Sequence, residues 1–506
     1  MFHVWPRLTG LMTARPAFKL VFAGLLLAVL LNALDQTIVA TALPTIVGEL
    51  NGFDQLAWVI TAYILASTIG LPIYGKLGDQ FGRKPVFVFA VVLFLAGSVL
   101  SGLATSMPML IAFRALQGLG GGGLMIGAQG IIADMVPPRD RGKYMGLLGA
   151  AFAVASISGP LLGGVITEFW GWRWIFYINV PLGAIALAFI LKHLHLPRQE
   201  KRSGSLDYAG MALLSSASVV LVLVTSWGGT HDWTSPLILG LGALLLALVA
   251  AFILVERRAV SPLMPGHLFR HRQVLLATMV GILVGVVMFS TISYLPTFFQ
   301  LVNGATAVGS GLMMIPMTLG NVIGSMGSGS IVSKTGRYKL FLLGGPVLML
   351  GGLALLGTMG ANTPYASAAA GMFLVGLGIG VMMQNLVVIV QSQVERSDLG
   401  VATSTTNYFR MIGASVGIAV FGSIFISSFS SKLAGADLGF TAGGEGGLGS
   451  LTPEFVHSLP AGTQEMIADA LAGSMPQIFL ISMGLAAGAL VLGFLIRETP
   501  LSTSRS

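Results

Sequence analysis

The 506-residue sequence contains no cysteine, and charged residues make up only 9% of it. The lack of cysteine excludes disulfides, thiolate metal sites, covalently attached haem and a cysteine nucleophile. Soluble domains contain about 25% charged residues, so the low fraction excludes an ordinary water-soluble protein. The 7 histidines lie in loops or at the ends of apolar runs, without a serine–histidine–aspartate pattern. We therefore predict neither an enzyme nor a metal site.

Long apolar runs dominate what is present. Hydrophobic residues form 55% of the chain, and the mean hydropathy is +0.87. A helix that crosses a bilayer requires about 20 predominantly apolar residues. The sequence predicts an all-α membrane protein with 14 transmembrane helices, at approximately 20–42, 56–75, 85–104, 108–132, 143–167, 174–194, 207–227, 236–256, 274–298, 308–332, 340–360, 366–391, 402–427 and 476–496.

The basic residues are distributed unevenly between the two sides of these spans. With a cytoplasmic N-terminus, the cytoplasmic segments hold 23 of the 27 lysines and arginines, as the positive-inside rule requires. The net charge of +8 therefore indicates membrane topology rather than a nucleic-acid partner. We predict a multi-pass protein of the bacterial cytoplasmic (inner) membrane, surrounded by the lipid bilayer, with both termini in the cytoplasm.

A short motif occurs twice, after the second and the tenth predicted spans. GKLGDQFGRK covers residues 75–84, and GSIVSKTGRYK covers residues 329–339. The matched positions favour a duplicated six-span unit, although Gly-Arg turns are also common at membrane edges. We therefore predict two six-helix pseudo-repeat bundles, at 1–195 and 273–506, with a linker and two inserted helices at 196–272. An external loop is predicted at about 428–475. Parallel repeats of this kind place a substrate site near the membrane midplane.

Charged side chains inside a span are costly, so each is a candidate for function. Asp35 lies in the first span and Arg114 in the fourth. A carboxylate in a low-dielectric environment can exchange between neutral and charged forms, as a proton carrier must. A guanidinium keeps its charge and can act as the partner of that carboxylate. The alternative is a permanent structural ion pair. Arg410, in the thirteenth span, has no evident carboxylate partner and receives no role from the sequence.

A second group of charges lies at the predicted cytoplasmic edge: Asp79, Arg83, Lys84 and Asp134. These side chains can form a salt-bridge network that holds one conformation, or they can act only as topology anchors. The fifth span contains the sequence GPLLGG, with Gly159, Pro160, Gly163 and Gly164. Proline removes a helix hydrogen bond and glycine permits close approach, so this motif predicts a bend at a helix interface.

Uncharged polar residues and adaptable side chains in the spans predict a substrate cavity for amphipathic molecules. The alternative is ordinary hydrogen bonding and packing between helices. The candidate cavity residues are Met125, Gln129, Phe289, Tyr294, Asn321, Gln384, Asn385 and Tyr408.

Together these motifs resemble the major facilitator superfamily, and within it the fourteen-span drug/proton antiporter subfamily of multidrug exporters. The resemblance rests on LDQTIVATALP at 34–44, GKLGDQFGRK at 75–84, RALQGLG at 114–120, GPLLGG at 159–164, and the WRW and NVP triplets at 172–174 and 179–181. It covers nearly the whole chain. Ala155 stands where the span 5 motif often begins with glycine, and Ser333 stands opposite Asp79 in the second copy of the repeat.

The resemblance implies proton-coupled multidrug efflux by alternating-access antiport of small amphipathic, mainly cationic compounds. Asp35 and Arg114 would couple the proton, which is the coupling ion, and no other cofactor is expected. Asp79, Arg83, Lys84 and Asp134 would form a conformational charge relay. Export of an endogenous metabolite, proton-coupled import and a sensor role are the alternatives. We expect a monomer, and the sequence leaves open whether a periplasmic adaptor takes part.

Overall fold

The computed structural model describes residues 15–50, 55–196, 206–228, 233–360, 363–433, 460–499 and 501. Within these ranges the chain is helical and contains no strand, which confirms the predicted fold class. The helices are α1 (Arg15–Leu50), α2 (Leu56–Phe81), α3 (Arg83–Gly102), α4 (Met107–Met135), α5 (Pro138–Trp170), α6 (Trp174–Tyr177), α7 (Asn179–His193), α8 (Tyr208–Trp227), α9 (Pro236–Arg258), α10 (His267–Arg270), α11 (Arg272–Leu301), α12 (Ala307–Met313), α13 (Ile315–Thr335), α14 (Lys339–Gly357), α15 (Tyr365–Ser392), α16 (Leu399–Leu433) and α17 (Ala461–Leu495).

Thirteen segments of the described chain are long and apolar enough to cross a membrane. The segment α6–α7 counts as one of them, because Trp174–His193 forms a single apolar stretch. The predicted span at 308–332 is not among the thirteen. It corresponds to two helices, α12 and α13, which are interrupted at Met314. Helix α13 has 21 residues and is rich in glycine and serine, which lowers its hydropathy. Its length suits a crossing, and its lower hydropathy reflects close packing inside the bundle.

Both ends of the predicted external loop at 428–475 are helical in the structure, so the prediction makes the loop too long. Helix α16 continues to Leu433, and α17 is already helical at Ala461. Residues 434–459 of this loop, and residues 197–205 of the predicted linker, lie outside the described ranges. The sequence underestimates these helices because polar residues in their outer turns lower the hydropathy without breaking the helix.

The same pairs of helices pack together in the two halves of the chain. Helix α4 packs against α2 and α3, as α15 packs against α13 and α14. Likewise α1 packs against α5 and α7, as α11 packs against α16 and α17. The turns after α2 and α13 both use a glycine with positive φ, 93° at Gly82 and 72° at Gly336, where other residues would be strained. This repeated packing agrees with a duplicated six-helix unit.

Glycines allow the closest helix pairs within each half. A Cβ atom on Gly118 of α4 would lie 2.3 Å from the carbonyl oxygen of Tyr63 on α2. A Cβ atom on Gly376 of α15 would lie 1.9 Å from the carbonyl oxygen of Met317 on α13. No side chain fits at such distances, so the two helix backbones are in direct contact.

The inserted helices α8 and α9 pack against each other, and α8 also contacts α2 and α16. Helix α9 has one buried residue, Ile238, so most of its surface faces outward. A helix that is apolar around its whole circumference and so exposed suits contact with lipid. The pair therefore lies at the side of the bundle, next to the junction of the two halves.

The two halves meet closely at one end of the bundle. We call this the basic end, and define it by the α2–α3, α4–α5 and α13–α14 turns. Here a Cβ atom on Gly329 of α13 would lie 2.2 Å from the carbonyl oxygen of Gly142 on α5. Arg139 donates a hydrogen bond of 2.8 Å from Nε to the carbonyl oxygen of Ser333. Helices α5 and α13 therefore close the basic end.

Candidate functional site

Asp35 and Arg114 form an ion pair in the interior of the first half. The guanidinium Nη1 of Arg114 donates to Oδ2 of Asp35, and both side chains are buried. Gln117, one turn along α4 from Arg114, donates from Nε2 to Oδ1 of Asp35 at 2.8 Å. The sequence singled out both charged residues, and the structure brings them into contact.

Arg114 is held by several groups besides the carboxylate. Its Nη1 also donates to Oε1 of Gln117 at 2.8 Å, and its Nε donates to the carbonyl oxygen of Val59 at 3.4 Å. The guanidinium carbon lies 4.2 Å from the centre of the Tyr63 ring, which is a cation–π contact. The planar guanidinium is therefore fixed on its edges and on one face.

A further ligand of Asp35 comes from α7. Asn179 donates from Nδ2 to Oδ1 of Asp35 at 3.0 Å, and to Oγ of Ser98 at 3.0 Å. The Tyr63 hydroxyl, which lies beside the same pair, donates to Oδ1 of Asn32. Sequence reasoning missed the roles of Asn179, Ser98, Tyr63 and Asn32. The only available signal was the position of Asn179 in the NVP triplet.

Three donors, from Arg114, Gln117 and Asn179, point at the carboxylate oxygens of Asp35. If the carboxyl group takes up a proton, the group becomes neutral while the guanidinium of Arg114 keeps its charge. The pair is then replaced by a buried cation without its counter-ion, which is unfavourable in a low-dielectric interior. Protonation of Asp35 can therefore weaken the packing of α1 against α4 and α7.

The second charge cluster lies at the basic end. Arg83 donates to Oδ1 of Asp79 from Nη2 and to Oδ2 of Asp134 from Nε, both at 2.8 Å. The side chains of Arg83 and Asp79 are almost fully buried. This triad joins the α2–α3 turn to the end of α4.

Asp79 also reaches across to the other half of the chain. Its Oδ2 accepts a hydrogen bond of 2.8 Å from the backbone N–H of Val401, and its Oδ1 accepts one of 3.1 Å from Gly400. These residues form the first turn of α16, where unpaired N–H groups and the helix dipole favour a negative charge. Asp79 therefore holds the first half to the start of α16.

Lys84 lies apart from the carboxylates of this cluster. Its Nζ donates to the carbonyl oxygens of Leu191 and Leu194 at 3.0 Å and 2.7 Å, at the end of α7. Arg141 instead reaches the triad region, since it donates from Nη2 to the carbonyl oxygen of Ala133 at 2.8 Å. Its Nη1 contacts the carbonyl oxygen of Gln391 on α15 at 3.5 Å. The structure thus adds Arg141 to the contacts at the basic end.

The glycines of the fifth span pack against α1. A Cβ atom on Gly159 would lie 1.9 Å from Oγ1 of Thr37, and one on Gly163 would lie 2.2 Å from Oγ1 of Thr41. Pro160 lies within α5, and a Cβ atom on Gly164 would meet nothing within 4 Å. Close packing of α5 against α1 therefore requires glycine at Gly159 and Gly163, but not at Gly164.

The candidate cavity residues do not form one lining. Phe289 borders a cavity of about 270 Å³, together with residues of α2, α8 and α16. Gln129 accepts a hydrogen bond of 3.1 Å from Asn407, which links α4 to α16. Tyr294 donates to the carbonyl oxygen of Ile418 at 2.9 Å, and Tyr408 is hydrogen-bonded to Ser218 of α8 at 2.8 Å. Tyr408 therefore faces the inserted pair.

The remaining candidates lie deeper between helices. Asn385 donates to the carbonyl oxygen of Val381 at 2.6 Å, and the backbone of Asn321 lies against Gly380. The Nε2 atom of Gln384 would lie 2.7 Å from a Cβ atom on Gly149 of α5. Met125 is partly buried in the packing around α4. None of these four residues borders the 270 Å³ cavity.

The 270 Å³ cavity lies at the junction of both halves and the inserted pair, on the side of the bundle away from the basic end. Its walls are mainly apolar, with hydroxyl groups from Thr61, Thr68, Thr225 and Ser226. Its volume is close to that of small-molecule sites, which begin at about 300 Å³. The sequence did not indicate that α8 contributes to this wall.

Residues 25–418 match the sequence profile described as the Major Facilitator Superfamily. The chain is 37% identical to Multidrug resistance protein 3 of Bacillus subtilis (strain 168) over 474 residues, which cover 92% of each chain. It is 40% identical to the Multidrug transporter protein MdtP of the same organism over 406 residues, which cover 80% of this chain and 75% of that one.

The fold is also similar to that of a solved structure, the human organic anion transporter MFSD10. The TM-score is 0.62 at 16% sequence identity, and the match covers 94% of this chain and 99% of the other. At this identity the likeness concerns the fold alone.

Proposed function

Because this chain belongs to the Major Facilitator Superfamily, it is a multi-pass membrane transporter rather than an enzyme, and we propose that it is a proton-coupled multidrug exporter. The names of its two Bacillus relatives support export of drugs. The buried pair of Asp35 and Arg114 is the single observation that carries the proposal of proton coupling. The fourteen-span antiporter subfamily stays a prediction, as does the placement of both termini in the cytoplasm of a bacterium.

The coupling follows from the protonation chemistry of Asp35. In the charged form, Asp35 holds α1 to α4 through Arg114 and Gln117, and to α7 through Asn179. Protonation removes the negative charge that these donors require, so the three contacts weaken together. The conformation that allows Arg114 to recover a counter-ion or water then becomes favoured. Release of the proton on the other side restores the original packing.

The closed basic end supplies the second element of the cycle. With the basic end in the cytoplasm, as the charge distribution predicts, the observed conformation faces outward. Inward opening then requires that Asp79 leave the first turn of α16 and that α5 separate from α13. Each half remains tightly packed internally, so a rocking motion of the halves gives alternating access.

The proton gradient is sufficient for concentrative export. One charge that crosses a potential of 100 mV releases about 2.3 kcal/mol. One pH unit adds about 1.4 kcal/mol. One proton exchanged for one uncharged molecule therefore supports a concentration ratio of a few hundredfold, since about 1.4 kcal/mol corresponds to tenfold. Exchange of one proton for one monovalent cation moves no net charge, so one pH unit alone supports a ratio of about tenfold.

The cavity indicates the kind of molecule that is carried. Phe289, Ile64 and Ile418 offer apolar surface, while hydroxyl groups of threonine and serine offer adaptable hydrogen bonds. Such a lining binds molecules by their apolar area rather than by one fixed polar pattern. Amphipathic compounds of varied shape are therefore the expected substrates.

The test measures proton movement in inside-out vesicles with an acidic lumen. Addition of ethidium should release protons from vesicles that contain the wild-type protein, and Asp35→Asn should abolish this release. Asp469→Asn, which changes an exposed carboxylate on α17, is the matched control and should behave like the wild type. Equal exchange by Asp35→Asn and the wild type would rule out Asp35 as the proton carrier. If the wild type moves none of the tested dyes, export of an endogenous metabolite becomes the better hypothesis.

A further inference from the structure

A groove of about 320 Å³ opens between α13 and α14 in the second half. Its lining residues lie within 323–331 of α13 and 340–348 of α14, and α15, which packs against both helices, contributes Leu377 and Val381. Ser328 provides the single polar side chain among them. At the rim, Leu340 is 75% exposed and Ile331 is 48% exposed. An exposed apolar surface on a membrane-spanning bundle contacts lipid, so the α13–α14 groove faces the bilayer.

Bulkier side chains occupy the matching positions of the first half. Backbone contacts to the glycines of α4 and α15 align Tyr63 of α2 with Met317 of α13, and Phe94 of α3 with Met349 of α14. By this alignment, three small residues of the groove, Gly327, Ser328 and Gly344, correspond to Ile73, Tyr74 and Phe89. The ring of Tyr74 would lie 2.9 Å from a Cβ atom on Gly123 of α4, so it fills the space that Ser328 leaves open. The groove therefore results from small residues that are particular to the second half.

Two exposed basic residues lie at the end of the groove nearest the α13–α14 turn. Lys334 follows Ile331 by three residues, so both side chains lie on the same face of α13. Arg337 lies in the turn that joins the two walls, three residues before Leu340. The apolar groove therefore has two positive charges at one end, at the level where the two helices leave the membrane.

The second half lacks the carboxylates that neutralise the matching arginine of the first half. Arg83, the counterpart of Arg337, is buried between two aspartates. Ser333 and Ser392 occupy the positions of those aspartates. The carboxylate of Glu498 accepts hydrogen bonds from backbone N–H groups at the start of α14 instead. Among the described residues, no carboxylate forms an ion pair with either basic residue at the end of the groove.

We propose that the α13–α14 groove binds one acyl chain of an anionic phospholipid, whose phosphate contacts Arg337 and Lys334. The lining of α13 extends over about 12 Å, at 1.5 Å per residue. This length fits the hydrocarbon of one leaflet, which is about 15 Å, half of the bilayer core. The guanidinium group suits the oxygens of a phosphate, and basic residues at the cytoplasmic edge of a span attract anionic lipids.

The inference goes beyond the proposed function, because the ligand is a component of the bilayer and not a transported molecule. The α13–α14 groove shares no lining residue with the 270 Å³ cavity. Lipid binding can therefore be measured without a substrate and without a proton gradient. Its outcome is independent of the vesicle test of antiport.

The experiment is native mass spectrometry of the purified, delipidated full-length protein, which counts bound lipids one at a time. The probes are dioleoyl-phosphatidylglycerol and dioleoyl-phosphatidylcholine, which share both acyl chains and differ in net charge. The first phosphatidylglycerol should bind about thirtyfold more tightly than the first phosphatidylcholine, the ratio expected for two basic side chains. Equal binding of the two lipids to the wild type would overturn the inference.

The charge at the end of the groove is tested by Arg337→Gln combined with Lys334→Gln. This variant should bind the two lipids alike, because only the acyl chains then contribute to binding. Arg257→Gln combined with Arg258→Gln removes the same charge from two exposed arginines at the end of α9, and should keep the preference. A preference that survives the loss of Arg337 and Lys334 would place the anionic lipid elsewhere and overturn the inference.

The groove itself is tested by Gly327→Ile combined with Gly344→Phe, which introduces the residues of the first half. A Cβ atom at either glycine meets nothing within 4 Å, so this variant should fold. It should weaken binding of the first phosphatidylglycerol at least about tenfold, because the acyl chain loses its apolar contacts. Gly351→Ile is the control, at an equally open position of α14 outside the lining.

Unchanged phosphatidylglycerol binding in the filled variant would overturn the inference. Dimer ions of the wild type that disappear in the filled variant would assign the groove to a second copy of the chain and would also overturn it. If the double variant does not fold, Gly344→Phe alone replaces it and should weaken binding about threefold.

Discussion

The carboxylate of Asp79 accepts a hydrogen bond of 2.8 Å from the backbone N–H of Val401. This contact joins residues that are far apart in sequence and belong to different halves of the transporter. Because the partner is a helix terminus, the interaction depends on charge and on the direction of α16 rather than on a particular side chain. The contact exists only while the basic end is closed.

Replacement of Asp79 by asparagine should shift the protein toward an open basic end. The change keeps the shape of the side chain but removes the charge that pairs with Arg83 and the first turn of α16. The chain lacks cysteine, so Ser404→Cys can serve as a reporter, since Ser404 is buried against Gly75. We expect Asp79→Asn to raise the rate of labelling by a water-soluble maleimide about tenfold.

Asp207→Asn is the matched control, because Asp207 caps α8 within the inserted pair. It should leave the labelling rate of the reporter unchanged. A labelling rate in Asp79→Asn equal to that of the parent protein would show that Asp79 does not hold the basic end closed.

We expect that lysine cannot perform the function of Arg114 in proton-coupled transport. Arg114→Lys keeps the positive charge but loses the planar contacts to Gln117, Val59 and the Tyr63 ring. We expect dye–proton exchange to fall at least about tenfold, mainly through kcat, because the orientation of Asp35 changes. Arg173→Lys, at a partly exposed arginine outside the Asp35 site, should retain exchange. Full activity of Arg114→Lys would mean that charge alone suffices.

Alanine at Gly376 should destabilise the second half. Its Cβ atom would lie 1.9 Å from a backbone oxygen, which cannot move without separating α13 from α15. The expected loss is about 2 kcal/mol, and thermal unfolding in detergent should occur several degrees lower. Gly327→Ala is the control, since a Cβ atom there meets nothing within 4 Å. Identical melting of the two variants would refute close packing at Gly376.

Glu49, beyond the first membrane span, should contribute to stability in a pH-dependent way. The Arg173 guanidinium and the Trp172 indole donate hydrogen bonds that lower the pKa of Glu49 below its ordinary value of 4.5. A lowered pKa in the folded state means that the stabilisation is present above pH 4.5 and is lost as the pH falls through the lower value. The Glu49→Gln variant should therefore have a slightly lower melting temperature than the wild type at pH 7. The two melting temperatures should become equal in acid. A constant difference at all pH values would contradict this assignment.

The sequence predicted the Asp35–Arg114 pair because opposite charges in apolar spans have few other partners. It did not predict Asn179, because a neutral amide on a helix gives no sign of the carboxylate it contacts. The binding of Asp79 to α16 was equally hidden, since its partners are backbone N–H groups that every helix start possesses. Such contacts depend on how the halves are placed in space.

The cavity residues could not be predicted reliably for the same reason, because their contacts depend on how the helices are placed in space. Aromatic and amide residues in spans are compatible with a cavity, with packing and with contact to the inserted helices. Tyr408 was predicted in the cavity, and its face on α16 is set by α8, whose docking position no local pattern encodes. Arg410 was visible in the sequence, but only the structure shows that its Nε atom has no hydrogen-bond partner among the described residues.

The contact between Gly142 and Gly329 is made by backbone alone. A gate built from bare backbone has no chemical preference for what passes through the transporter, because it responds only to the relative position of the two halves. Residues around the cavity can therefore change over many generations without disturbing the opening and closing cycle. New resistance specificities can arise by substitutions on the cavity wall, while mutations at the two glycines would stop transport of every compound alike.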